Sequence, residues 1–202
     1  MASPRRIGAP DAKNRTVLLD AAEQLMLDEG YAAVSSRRVA AKAGLKPQLV
    51  HYYFRTMDDL LLAVFRRRAE EGLARQARAL ASEQPLRALW EFSSEAMGTA
   101  ITMEFAALAN HRKSIRAEIA DYSERFRAAQ LGFLSDLLER HGIHPDVCTP
   151  GALAVILSSL SRILVIEQAL GMSLGHAETS ALVEQLLHRL EGDEHIRTEQ
   201  RP

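Results

Sequence analysis

The sequence holds a single cysteine, Cys148, so no disulfide can form within the chain. That fits a reducing compartment, and a cytoplasmic protein is expected. Long hydrophobic runs are missing. None exceeds the six residues of Ala152 to Leu157, far short of the ~20 a membrane helix needs, so no membrane span is expected. Met1 to Asp11 mixes charges with prolines around no apolar centre, and no secretory leader is expected. Strand-like alternation and internal repeats are absent, which leaves an all-α chain. So are a nucleophile elbow and a phosphate-cradling glycine loop; neither an enzyme nor a cofactor is expected. His141, His144 and Cys148 have metal-compatible spacing but no fourth donor, so no metal site is assigned.

An excess of one charge is lacking too, since the formal total is −1. The distribution is uneven. Residues 1–55 carry nine Lys and Arg (Arg5, Arg6, Lys13, Arg15, Arg37, Arg38, Lys42, Lys46, Arg55) against five acids, and the remainder is net acidic. A basic amino-terminal third beside an acidic rest suits a nucleic-acid-binding head on a body with another task.

Ser35 to Leu60 organises the chain. Gly44 supplies a tight turn, because a residue leaving a helix in the left-handed conformation avoids steric cost only without a Cβ. Val39, Ala40 and Ala43 precede the glycine; Leu45, Val50 and Tyr53 follow it. They place small or apolar side chains on the facing sides of two short helices, about 36–43 and 47–53. Ser35 is an N-cap, and Pro47 occupies a first turn, where its missing N–H costs nothing. This is the sequence form of a helix-turn-helix.

The segment Ser35-Ser36-Arg37-Arg38-Val39-Ala40-Ala41-Lys42-Ala43-Gly44-Leu45-Lys46, then Val50-His51-Tyr52-Tyr53-Phe54, then Asp58, Asp59 and Leu60, resembles TetR-type transcriptional regulators over roughly the first third of the chain. There are three departures. His51 stands where the family usually has Tyr, Tyr53 where it often has His, and Met57 where a phosphate-contacting Lys is common. The resemblance implies a DNA-binding head, a helical body, a dimer and a small-molecule effector that releases DNA. On the second helix Lys46, Gln48, His51 and Tyr52 are polar and outward by spacing, and Leu49 can meet a thymine methyl. Gln48 and His51 suit base edges, and Lys46 a phosphate or guanine. Ser35, Arg37, Tyr53 and Thr56 are placed for phosphates. Arg5, Arg6 and Lys13 can extend that contact as a basic arm.

Before this segment, a helix over about 14–29, capped by Asn14 or Asp11, offers Val17, Leu18, Ala21 and Leu25 as one face and ends at Gly30. After it, a long helix runs from Met57 towards Ser82. Arg66, Arg67, Arg68, Glu70 and Glu71 read as its exposed side, and Gly72 as a bend or close crossing. Pro85 opens a stripe through Leu86, Leu89, Trp90, Ser93, Ala96 and Met97, which Gly98-Thr99 interrupts. A short apolar helix from about Ile101 follows, then a long one over about 114–140. Its stripe is Ile115, Ile119, Tyr122, Phe126, Ala129, Phe133 and Leu137. The segment 151–170 is apolar almost all round, and 177–190 carries Leu182, Val183, Leu186, Leu187 and Leu190. A helix without a polar face is buried on more than one side, so these two predict half of an intermolecular four-helix bundle. The expected organisation is about nine helices. A helix-turn-helix domain spans 11–56, a ligand-binding and dimerisation domain 57–192, and flexible tails 1–10 and 193–202.

The expected partners are a palindromic operator, a second copy of the chain and an unidentified effector. Candidate effector contacts are Trp90, Met97, Met103, Phe105, Phe126 and Phe133, with Asn110, His111 and Arg162 as polar anchors; the same apolar stripes serve equally as plain core. Arg162 lies amid Ile and Leu and needs water or a carboxylate, from Glu167, Glu104 or the other subunit. The competing reading is a helical small-molecule-binding or scaffold protein that does not grip DNA, for which Met57 in place of Lys is the argument.

Overall fold

The computed structural model describes residues 13–191. Arg5 and Arg6 of the arm, the alternative cap Asp11 and the tails 1–10 and 193–202 lie outside that range. Among the described residues there are nine α-helices and no strand: α1 (Lys13–Glu29), α2 (Ser36–Lys42), α3 (Pro47–Tyr53), α4 (Met57–Leu80), α5 (Pro85–Ser93), α6 (Ala96–Ala109), α7 (Lys113–Arg140), α8 (Pro150–Ala169) and α9 (His176–Glu191). Asn14 is already inside α1. A single 3-10 turn, Tyr31–Ala33, joins α1 to α2. Packing divides the chain into two compact units. Among the described residues, the first runs to 71 and resumes over 100–122, and the second takes 72–99 and the residues from 123 onward.

The first unit is built on the buried stripe Leu18, Ala22, Leu25 and Met26 of α1. Against it pack Val39 and Ala40 of α2, Val50 of α3, and Leu60 and Val64 of α4. Ile101, Phe105 and Leu108 of α6 and Ile115 of α7 complete the core. Burying each such large side chain contributes about 1.5–3 kcal/mol. Met57, the departure from the family pattern, packs partly buried against this core. Thr56 and Asp59 cap α4 reciprocally: the Asp59 N–H donates to Thr56 Oγ1 at 3.1 Å, and the Thr56 N–H donates to Asp59 Oδ2 at 3.0 Å.

Of the expected exposed side of α4, Arg66, Glu70 and Glu71 are exposed, whereas Arg67 and Arg68 are half-buried. Arg67 donates to Asp20 at 2.5 Å and to Glu23 at 2.8 Å, and Arg68 reaches Glu23 at 3.3 Å. Tyr122 donates to Glu70 at 2.7 Å. Opposite charges on α1 and α7 draw the long side chains inward, and their stems cover apolar surface.

The second unit centres on Leu86, Leu134, Leu137, Ala154, Val183 and Leu187. Pro85 opens α5, and the free amides of Leu86 and Arg87 donate to the Glu191 carboxylate at the end of α9. An anion at a helix amino end satisfies orphan donors and meets the favourable end of the dipole. At Gly72 a Cβ would lie 2.9 Å from Phe126 Cζ, so the glycine permits a close crossing with α7 while α4 continues unbroken.

Two helical boundaries differ from the sequence reading. The break after α5 falls at Ser94 and Glu95, and Gly98 and Thr99 lie inside α6, whose first bond runs from the Thr99 N–H to the Glu95 carbonyl at 3.0 Å. On α7 the buried stripe drifts: Ala129 is exposed, while Gln130 and Leu134 are buried. A 3.6-residue turn moves the buried line off a strict four-three spacing within a few turns. α8, 20 residues long with a mean hydropathy of 1.6, is long and apolar enough to cross a bilayer by length and composition alone, which a count of uninterrupted apolar residues does not reveal. Ser158, Ser159, Ser161 and Arg162 interrupt it.

Candidate nucleic-acid interface

The turn between α2 and α3 follows from Gly44, whose φ is +64°. The Leu45 N–H donates back to the Ala40 carbonyl at 2.9 Å, and the Gly44 N–H to that of Ala41 at 3.2 Å, which closes the end of α2. Ser35 caps the other end, its Oγ accepting from the Arg38 N–H at 3.4 Å. Lys46, extended at φ −79° and ψ 141°, precedes Pro47 at the start of α3.

Val50 (1% exposed) and Phe54 (3%) fix one side of α3 in the core, and Tyr53 is half-buried beside them. Gln48, His51 and Tyr52 are exposed and follow the i, i+3, i+4 spacing of one helix face. Tyr52 meets Tyr53 edge to face at 5.0 Å. Leu49, expected outside, is half-buried. Arg15 lies over the Phe54 ring at 5.2 Å.

The basic residues separate into two sets. Arg38 donates to Glu29 at 2.5 Å and Lys42 to Asp28 at 2.8 Å, tying α2 to the end of α1. Those hydrogen bonds hold the Glu29 and Asp28 carboxyls below the ordinary range. Arg37, Lys46 and Arg55 are exposed and have no side-chain partner among the described residues. Arg55 was not singled out by the motif, because it falls just beyond α3; its only sequence signal is an unbalanced charge at that point. The Thr56 hydroxyl is occupied by its cap.

Of the candidate effector contacts, Met103, Phe105, Asn110 and His111 belong to the first unit, and Trp90, Met97, Phe126, Phe133 and Arg162 to the second. Phe105 is core, edge to face with Phe65 at 5.1 Å, while Met103, Asn110 and His111 are exposed. Met97 is exposed as well. Trp90 and Phe133 pack on the second core, and Phe126 stacks on Phe92 at 6.3 Å. Three buried side-chain atoms lack a partner among the described residues: Arg67 Nε in the first unit, and Gln76 Oε1, on a residue 3% exposed, and Ser94 Oγ in the second. An open cleft nearby in sequence is lined by Arg75, Arg78, Ala88, Glu91, Phe92 and Glu95.

Arg162 has neither of its expected partners in the chain. Glu167 meets His176 at 2.9 Å, and Glu104 accepts from the Tyr31 backbone. Arg162 is exposed, so its charge reaches water; partial burial, then the like charge of Arg127, push its guanidinium below the ordinary value. No cluster of three or more His, Cys, Asp or Glu able to hold a metal occurs among the described residues.

A helix-turn-helix head with a locked inner face and an uncommitted polar outer face, carried on helices alone, defines the class of this protein. Residues 18–64 match the sequence model of bacterial regulatory proteins of the tetR family. The HTH-type transcriptional regulator BetI of Rhizobium meliloti (strain 1021) is 28% identical over 123 residues, covering 56% of this chain and 61% of that protein. The match thus spans under two thirds of that relative's length. In fold, a structure assigned to a TetR-family transcriptional regulator from Rhodococcus sp. aligns with a TM-score of 0.69 at 18% identity, covering 85% of this chain and 96% of that one. A transcriptional regulator from Saccharomonospora viridis, solved in complex with choline, gives 0.69 at 21% identity, covering 89% and 94%. Residues 18–64 are thus similar to the tetR family of bacterial regulatory proteins, and the fold to the solved structures of these regulators.

Proposed function

We propose that this chain is a non-enzymatic transcriptional repressor that grips a palindromic operator as a homodimer and lets go when a small molecule binds its body. The observation that carries the DNA reading is the outer face of α3. Gln48, His51 and Tyr52 have no structural task there, whereas the opposite face is sealed in the core. Free Arg37, Lys46 and Arg55 flank them, with the Ser35 hydroxyl proton available to a phosphate. Met57 packs partly buried against the head's core, which gives an apolar residue at this position a structural reason.

The division proposed is a head at 11–56 and a body at 57–192. Two heads related by a two-fold axis would present α3 to successive major grooves about 34–36 Å apart. The exposed apolar residues of α8 and α9 support pairing with a second copy, and an acid of that copy would answer Arg162. For the effector, Trp90 and Phe126 with Gln76 and Ser94 are the best-supported lining, the orphan Gln76 oxygen favouring a compound with a hydrogen-bond donor. The choline held by the Saccharomonospora viridis relative is a precedent for a small ligand on this fold. Release requires the effector to prefer the state that does not bind DNA, since equal affinity for both moves nothing.

The test is a salt titration of binding to duplexes from the gene's own upstream region. Gln48→Ala should relax base preference at one position, and Lys46→Ala should weaken binding on all duplexes and reduce the salt slope by about 1. Wild-type protein with no salt-sensitive affinity for any duplex would overturn the reading.

A further inference from the structure

The turn that feeds the helix-turn-helix is held from outside the head. Gly30, at φ +82°, ends α1 by donating its N–H to the Met26 carbonyl at 3.0 Å. The next amide, that of Tyr31, has no backbone acceptor, because the 3-10 turn starts there and uses the amides of Ala33 and Val34. Glu104 of α6, 73 residues further on, accepts it through Oε2 at 2.6 Å in a part-buried setting. The same carboxylate oxygen lies 3.4 Å from where a Cβ on Gly30 would sit, an ordinary contact, so the positive φ rather than crowding calls for glycine here.

A carboxylate bond to an amide is among the stronger hydrogen bonds, and losing this part-buried one leaves the Tyr31 N–H without a protein acceptor. The turn leads directly into Ser35 and α2, and α2 closes on α3 through Gly44. From these contacts we infer that Glu104 is a positioning residue for DNA recognition: it pins the Gly30–Tyr31 turn and so sets the angle at which α2 and α3 are presented. α6 is suited to this task, since Ile101, Phe105 and Leu108 anchor it in the same core as α1, α2 and α3. This inference rests on the DNA-binding reading above.

The experiment uses full-length protein and two duplexes, the operator and a scrambled sequence of equal length. Glu104→Ala should lower operator affinity roughly tenfold or more, the size expected for a lost charge-assisted bond. Affinity for the scrambled duplex and the salt slope should stay unchanged, because no phosphate contact is removed. Glu104→Gln, which keeps an acceptor oxygen, should recover most of the loss. Equal operator affinity of Glu104→Ala and wild type would overturn the inference, as would a parallel loss on both duplexes. Failure of the wild type to bind either duplex would instead remove the DNA-binding reading on which it stands. Hydrogen exchange on the wild type decides the matter should Glu104→Ala not fold. The Tyr31 amide should be protected while that of Ala32, which has no acceptor, exchanges freely; equal rates would overturn the inference.

Discussion

Arg66 and Glu118 form a two-bond fork between α4 and α7 within the first unit, Nε to Oε1 at 2.5 Å and Nη2 to Oε2 at 2.9 Å. The hydrogen bonds from Arg66 hold the Glu118 carboxyl below its usual 4.5, opposed in part by burial. The unfolded chain therefore takes up the proton at a higher pH than the folded one. The fork's contribution is complete above the ordinary glutamate value and disappears as pH falls through the lower, folded value. Thermal unfolding followed from about pH 6 down to about pH 3 should show a steep acid limb in the wild type and a shallower one in Glu118→Gln. Superimposable limbs would mean that the fork does not hold in solution.

Gly44 isolates the cost of backbone handedness. Its φ is +64°, and nothing lies within 4 Å of a Cβ built there. Gly44→Ala therefore meets no clash, only the left-handed penalty of an L-residue, and should cost about 1–2 kcal/mol of unfolding free energy. Gly44→Asn should cost less, since its short polar side chain tolerates that region. Denaturant midpoints measure both; an alanine variant as stable as wild type would show that the turn changes form.

The head was legible because its signals are local. Ser35, Gly44 and Pro47 each do a job defined by neighbours within a turn, and the bounds of α3 follow from them. The body was less so. Gly98-Thr99 reads as a break in sequence, yet the helix passes through it because the chain had already turned at Ser94. Arg67 and Arg68 read as solvated until Asp20 and Glu23 of α1 are placed beside them. Glu104 was considered only as a partner for Arg162; its bond to Tyr31 spans 73 positions and leaves no periodic trace. Long-range pairing of single residues is what a lone sequence does not encode in its spacing.

Gly72 sets a helix gain against a collision. Replacing glycine by alanine inside α4 favours the helix by about 1 kcal/mol. The added Cβ would lie 2.9 Å from Phe126 Cζ, below any ordinary contact. Phe126 has limited room to yield, since its ring stacks on Phe92 and its carbonyl accepts from Gln76 at 3.0 Å. Overpacking of this kind costs about 1–3 kcal/mol, so the collision wins. Gly72→Ala should lose on the order of 1 kcal/mol net, and the double variant with Phe126→Leu should recover part of it. A stabilised single variant would show that the ring moves aside freely.

Leu182 and Leu186 are 55% and 45% exposed on α9, four residues apart, and Ile156 and Ile163 are 55% and 44% exposed on α8. Val183 and Leu187 alternate with the first pair and are buried, so α9 has two apolar faces and the chain itself covers one. Under the proposed dimer the second face meets its counterpart, each leucine contributing about 1.5–3 kcal/mol when buried. Leu182→Glu with Leu186→Glu leaves the inner face intact and places like charges opposite one another across a two-fold interface. Sedimentation velocity should then find a monomer with helical content near that of the wild type. Operator affinity should drop to that of one head, because a second half-site no longer adds to the first. A variant that sediments as a dimer would place the contact between copies elsewhere on the chain.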